Sequence, residues 1–264
     1  MYTTSHIVKN LEQLGILPSD TVMVHASLKS VGKLENGADT VLDAMCGYLR
    51  EGLLVLPGHT WAYVDGEHPE FDVMKSPVCV GALREVFRKR SGVYRSLHPT
   101  HSLLAYGPYA GQFVSGQERF DTPCAPGSCY GELERRAGKV MLVGVDFMRC
   151  TLIHCIEEIA GVPGRIAGTY EQLRVKDKEG RVHSVPSHRH QNANSDYYQK
   201  LEPVMDHRGV LTRGKIGDAA TIVCEIKDLF GITLELLGRD IRLFDDDKPV
   251  PEEWYKGSAL KNES

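Results

Sequence analysis

The sequence predicts an α/β fold, and three observations carry that reading. Its first sixty residues run helix, strand, loop, helix, strand. A strand–helix–strand order implies a parallel pair joined by a crossover. A third apolar run, residues 140–145, is followed by another helical pattern. The last third changes character, with an alternating hairpin and a strand pair set between helices.

The elements follow in order. Residues 4–14 read as an amphipathic helix ended by Gly15, and Leu17-Pro18-Ser19-Asp20 is a turn. Residues 21–25 (TVMVH) form a β-branched run that predicts a buried strand. A loop of mostly small residues, 26–32, comes next. Residues 38–49 place Val41, Leu42, Met45 and Leu49 at helical spacing. Residues 53–56 (LLVL) predict a second buried strand, closed by Pro57-Gly58. Residues 61–77, rich in polar and turn types, read as a long active-site loop. Helix is expected over 80–90, strand over 102–105, loop over 113–128, a short helix over 130–136, strand over 140–145 and helix over 151–160. Residues 170–185 alternate around Lys178-Glu179-Gly180, a hairpin signal. Helix over 197–206, a strand pair over 214–225 and a final helix over 228–237 complete the body. One domain is expected over 1–244, with 165–220 as an inserted or added unit. Residues 245–264 read as a polar tail with little reason to be ordered.

The 264 residues give ample material for a buried core. A formal charge of −4 argues against nonspecific nucleic-acid binding, which rests on many Lys and Arg contacts to phosphate. There is no apolar run long enough to span a membrane, and the first ten residues lack the apolar core of a signal peptide. The seven cysteines are scattered, odd in number and form no Cys-x-x-Cys pair, so a reduced, cytoplasmic setting is expected.

Four segments carry candidate chemistry. After the first strand, His25, Ser27, Leu28, Lys29, Ser30, Val31 and Gly32 offer free backbone N–H groups to an anion such as a pyrophosphate, or make an ordinary strand–helix turn. The loop matches neither nucleotide-binding glycine pattern. Residues 95–102 hold Arg95 and the run His98, Pro99, Thr100, His101 and Ser102. These are donors for an acyl carbonyl, or a polar loop whose histidines hold backbone. His154 and Glu157 lie three apart on a predicted helix and share a face. A carboxylate on one imidazole nitrogen frees the other as a general base, although a helix salt bridge gives the same spacing. Cys155 points elsewhere on that helix. Ser187, His188, Arg189, His190 and Gln191, with His183 nearby, suit a metal or the lining of a substrate cleft, but the expected reading is a solvated basic loop.

Taken in order, these segments resemble the aminoglycoside 3-N-acetyltransferase family, over roughly residues 4–240. Further matches are Leu54-Val55-Leu56-Pro57 before Thr60, residues 81–88, residues 92–102, Asp121-Thr122-Pro123, residues 138–145, Lys200-Leu201-Glu202-Pro203, Gly209-Val210-Leu211 and residues 214–219. The resemblance implies an α/β fold with a central mixed β-sheet, flanking helices and an added C-terminal α+β subdomain. It implies acetyl-CoA as cosubstrate, held by residues 27–32 and 98–102, and an amine acceptor, with no metal. It implies His154 as base, oriented by Glu157, with Thr60 or a hydroxyl of residues 98–102 polarising the thioester carbonyl. The implied reaction is N-acetylation of a primary amine, at the 3-amine of an aminoglycoside; a homodimer is compatible with it. Asp146-Phe147-Met148-Arg149-Cys150 departs from the acidic or Asn-containing stretch that resistance enzymes often carry there, which opens the reading to a less cationic amine of secondary metabolism. A CoA-binding protein without transferase activity and a metal hydrolase built on His98, His101, His188 and His190 are the competing classes.

Overall fold

The structure, a computed structural model, describes residues 1–192 and 195–256. In chain order its elements are α1 (Thr4–Gln13), β1 (Thr21–Ala26), α2 (Ala38–Tyr48), β2 (Leu53–Pro57), β3 (Glu70–Asp72), α3 (Ala82–Arg88), β4 (Tyr94–Arg95) and β5 (Leu103–Tyr106). Then come α4 (Ala110–Phe113), α5 (Cys129–Arg135), β6 (Lys139–Val143), α6 (Leu152–Ala160), β7 (Ile166–Lys176), β8 (Val182–His190), α7 (Leu201–His207), β9 (Thr212–Ile216), β10 (Ala219–Glu225) and α8 (Ile226–Arg239).

Seven strands form one mixed sheet in the order β4-β5-β2-β1-β6-β10-β9. The predicted parallel pair is present, with Thr21 opposite Leu53, and β6 runs parallel to β1 on its other side. These central strands are apolar almost throughout because helices cover both faces. Val22, Val24, Met141 and Val143 face the core beneath α1, α2 and α3. Met23, Val140 and Leu142 face the core beneath α5, α6, α7 and α8. Strand periodicity of two thus splits each strand between two cores. No helix among the described residues is long and apolar enough to cross a membrane.

Two expectations change. Residues 61–77 are not wholly loop, because β3 pairs with β7, which with β8 builds a separate three-stranded sheet over Val64, Phe71, Leu173, Val175 and Val185. The separate unit is also narrower than 165–220. Strands β9 and β10 extend the main sheet, and Leu201, Val204 and Met205 of α7 enter the main core, because their apolar faces have nowhere else to be buried.

The polar segment after residue 244 is anchored, since Val250 is buried, Trp254 packs on the core and Arg165 reaches Asp245 at 2.9 Å. The rest of the expected tail, 257–264, lies outside the described residues.

Strands β2, β1 and β6 are parallel and end at one edge of the sheet, at Pro57, Ala26 and Val143. Ligand sites of open α/β sheets form in the crevice beyond such strand ends. The segments that leave this edge carry His25 to Lys29, His59 to Trp61 and Val145 to Thr151.

Candidate active site

Two adjoining cavities open at that edge. One, of about 400 Å³, is lined by His101, His154, His190 and Met148 among others. The second, of about 580 Å³, is lined by His25, Ser27, Leu28, Lys29 and Arg84 among others. His59, Trp61, Val80, Arg149 and Thr151 line both, so they are two chambers of one cleft.

His154 stands at the first chamber on α6. Its Nδ1 lies 2.8 Å from the Tyr198 hydroxyl and 3.3 Å from Oε2 of Glu157. Tyr198 donates its own proton to the same Oε2, at 2.6 Å. With that proton committed to Glu157, the network assigns a hydrogen to Nδ1 of His154 and leaves Nε2 with a free lone pair. Burial pushes the His154 imidazole below its ordinary value and His190 adds to that, against the opposing pull of Glu157. The ring is therefore neutral, as a proton acceptor must be.

Glu157 is the fixed point of this arrangement, with 1 % of its surface exposed. Burial raises its carboxyl, but hydrogen bonds from His154, Tyr198 and Arg165 outweigh that and hold it below the usual carboxylate range. Arg165 donates Nε to Oε1 at 2.8 Å and is itself buried. A buried charge needs such a partner.

A second histidine–glutamate pair lies beside the first. Nε2 of His190 is 2.9 Å from Oε1 of Glu158, and the His190 and His154 rings are 4.6 Å apart. Glu158 also accepts from the Thr122 hydroxyl at 2.6 Å and the Cys124 amide at 2.8 Å.

The model of the aminoglycoside 3-N-acetyltransferase family matches residues 23–238. This chain belongs to the aminoglycoside 3-N-acetyltransferase family. Aminoglycoside N(3)-acetyltransferase VII of Streptomyces paromomycinus is 29% identical, over 90% of this chain and 93% of that one. Aminoglycoside N(3)-acetyltransferase III of Serratia marcescens is 31% identical, over 69% of this chain and 73% of that one. Among solved structures, the apoenzyme of aminoglycoside acetyltransferase AAC(3)-IVa superposes with a TM-score of 0.80 at 27% identity, covering 92% of this chain and 91% of that one. AAC-IIIb, solved as a binary complex with CoASH, shares the fold with a TM-score of 0.80 at 24% identity, covering 90% of this chain and 97% of that one.

Within this acetyltransferase-family chain, the sequence-predicted residues divide. His25, Ser27, Leu28, Lys29, His101 and His154 line the cleft, and Glu157 orients His154 from behind. Ser30, Val31 and Gly32 do not line it: the Ser30 hydroxyl turns back to Ser27 at 2.9 Å, Val31 is buried, and Gly32 lies against Asp218.

Residues 98–102 are mostly a buried latch instead of a cofactor surface. His98 is fixed through Nε2 to the Thr122 carbonyl at 3.0 Å, and its Nδ1 accepts the His101 amide at 3.0 Å. Ser102 donates to the Gly58 carbonyl at 2.6 Å and accepts from Arg95 at 3.0 Å. Thr100 is fully buried against His101, and Pro99 is also buried. Thr60 is fully buried too, and its hydroxyl donates to the Pro99 carbonyl, so it has no hydrogen left for a substrate. Thr151 is on the wall shared by the chambers, three residues before His154, and its side chain makes no capping bond.

The histidine cluster 183–190 is not a solvated loop. It forms β8, and only His190 of its histidines reaches the cleft. His188 bonds the Ala167 carbonyl at 2.7 Å and His183 bonds Asp177 at 3.1 Å. Tyr198, Arg165 and His59 were not singled out from sequence. Tyr198 and Arg165 reach Glu157 from 41 and 8 positions away, beyond any local pattern.

Proposed function

We propose that this protein transfers the acetyl group of acetyl-CoA to a primary amine, with aminoglycosides, the acceptors for which its relatives are named, as the substrate class and the 3-amine as the position. The observation that carries the reading is the neutral His154 imidazole, with Nδ1 committed to Tyr198 and Glu157 and Nε2 left for the chamber. An amine attacking a thioester must lose a proton as its bond to carbon forms, and a positioned base of this kind supplies that.

The second chamber suits the anionic cosubstrate. Lys29 stands on its wall, and Nε2 of His25 and Nε of Arg84 are buried there without hydrogen-bond partners. Burial drives the His25 ring down to about 3, so it is a neutral donor or acceptor and not a charge. Acetyl-CoA supplies the activated acetyl group. His25, Ser27, Lys29 and Arg84 would hold it, and the shared wall marks where the two substrates meet.

His154 Nε2 accepts the ammonium-type proton as the C–N bond forms. Thr151 donates its hydroxyl to the carbonyl oxygen as negative charge builds there. His154 then returns the proton to the departing sulfur as the C–S bond breaks, which restores the neutral base. Trp61 lines both chambers, and Arg189 of the small sheet donates to its carbonyl at 3.3 Å, so the small sheet flanks the cleft.

Mass spectrometry of acceptor and acetyl-CoA mixtures tests the reaction. The expected product is the acceptor plus one acetyl group, formed by the native chain and not by His154→Ala. Equal product from both proteins would remove the assignment.

A further inference from the structure

All seven cysteines lie among the described residues, and Cys79 is the one that is not buried. Cys150 also borders the cleft, but it is 1 % exposed and burial pushes its thiol up to about 12. Cys79 lines the cosubstrate chamber and not the acceptor chamber. Its place in that chamber is fixed from both sides. Its amide donates to the His59 carbonyl at 2.8 Å, and Val80 follows it in sequence. His59 and Val80 both belong to the wall that the two chambers share.

The sulfur end of coenzyme A must lie at that wall, because the acetyl group on it has to meet the amine. The chamber around Cys79 also has the marks of a ligand site. Nε2 of His25 and Nε of Arg84 are buried without hydrogen-bond partners, in residues 2 % and 7 % exposed, and Lys29 adds a positive charge. Burial raises the Cys79 thiol, and the N–H groups of Ala62, Cys79 and Trp61 oppose that rise. The resting group is the thiol, and its reactive thiolate grows with pH. A partly exposed thiol thus stands where the sulfur of the cosubstrate comes to rest.

We infer that Cys79 is a modification site that captures coenzyme A from its disulfide. The step is a thiol–disulfide exchange. The Cys79 thiolate attacks one sulfur of the CoA disulfide, the Cys79–CoA bond forms and the CoA–CoA bond breaks. The second CoA leaves as a thiolate and takes up the proton that Cys79 gave up. The CoA disulfide is the oxidant, and the Cys79 sulfur is oxidised at its expense. The bound half fills the cosubstrate chamber and stops acetyl transfer until a thiol reduces it. This rests on the transferase reading above, since the second chamber must hold coenzyme A.

The test treats the native chain with CoA disulfide and removes the excess. Mass spectrometry then gives the intact mass, the modified peptide and the acetylation of an aminoglycoside. One CoA per chain is expected, at Cys79, with acetyl transfer lost in proportion to the modified fraction. Dithiothreitol restores the mass and the activity. Acetyl-CoA present during treatment slows the modification, and raising the pH from about 7 to about 9 speeds it. Glutathione disulfide, which lacks the nucleotide phosphates, reacts at least about tenfold more slowly, the worth of one charge-assisted hydrogen bond. Cys79→Ser and Cys79→Ala take up no CoA and acetylate as the native chain does, before and after treatment.

Three outcomes overturn the inference alone. They are CoA binding to the untreated chain with Cys79 left unmodified by the disulfide, modification that leaves acetyl transfer intact, and glutathione disulfide reacting as fast as CoA disulfide. If calorimetry finds no binding of CoA to the untreated chain, the transferase reading itself falls, and that outcome is distinguishable from all three.

Discussion

The Tyr198 hydroxyl lies 2.8 Å from Nδ1 of His154, although the two residues are 44 positions apart. Through this contact the short helical turn before α7 fixes the ring that faces the cleft. Tyr198→Phe removes the hydroxyl and keeps the packing against Phe244. The lost hydrogen bonds are worth roughly 1–1.5 kcal/mol, so kcat is expected to fall about tenfold. The KM for acetyl-CoA should stay put. Steady-state kinetics on the variant checks both, and an unchanged kcat would deny the tyrosine its orienting role.

Glu157→Gln should cost stability as well as turnover. It leaves the buried Arg165 without its buried carboxylate partner, with only the half-exposed Asp245 to compensate. Breaking a buried pair on one side costs on the order of 3–5 kcal/mol. Urea unfolding of the variant is expected to show a clearly lower midpoint. A midpoint equal to the native one would mean that the pair contributes little.

The two threonines should separate cleanly. Thr151→Val removes a donor from the wall between the chambers, and an oxyanion donor is worth ~10²–10³ in kcat. Thr60→Val loses a buried hydrogen bond to the Pro99 carbonyl and is expected to lower stability by roughly 1–3 kcal/mol, with little change in kcat for the folded fraction. Paired kinetics and thermal melts decide it. The reverse pattern would return the carbonyl-polarising role to Thr60.

Acid should unfold the protein through its buried histidines. Burial lowers His25 to about 3 and His98 to about 4, from an ordinary value of 6.5. The unfolded chain binds protons at these rings first. Their contribution is therefore complete above pH 6.5 and is lost as pH falls toward the folded values. Each group adds a slope of roughly 1.4 kcal/mol per pH unit in that window. Denaturant titrations at several pH values between 7 and 4, on the order of one unit apart, should show this, and His98→Asn should show a shallower slope. Stability independent of pH across the window would contradict the buried, neutral histidines.

Much of the body was legible because periodicity reports burial. The runs at 21–25, 53–56 and 140–145 are apolar on both faces, and they are the three parallel strands at the sheet centre. The His154–Glu157 pair was legible because three residues make one helical turn. Strands β3 and β4 were not, since runs of three and two residues carry no period. Nor was the fate of Thr60 and residues 98–102. Their hydroxyls and imidazoles look the same in sequence whether they face a substrate or a neighbouring carbonyl, and it is the contacts of Thr60 with Pro99, His98 with Thr122 and Ser102 with Arg95 and Gly58 that show them facing inward. The placement of Tyr198 and His190 depends on chain folding over long separations, which local sequence does not encode.

The most direct test of the central claim is thiol release from acetyl-CoA by His154→Ala, measured beside its affinity for CoA by calorimetry. The account predicts a kcat lower by ~10²–10⁴, the range of general base catalysis, with CoA bound as tightly as by the native chain. A near-native rate with CoA binding intact would contradict His154 as the base.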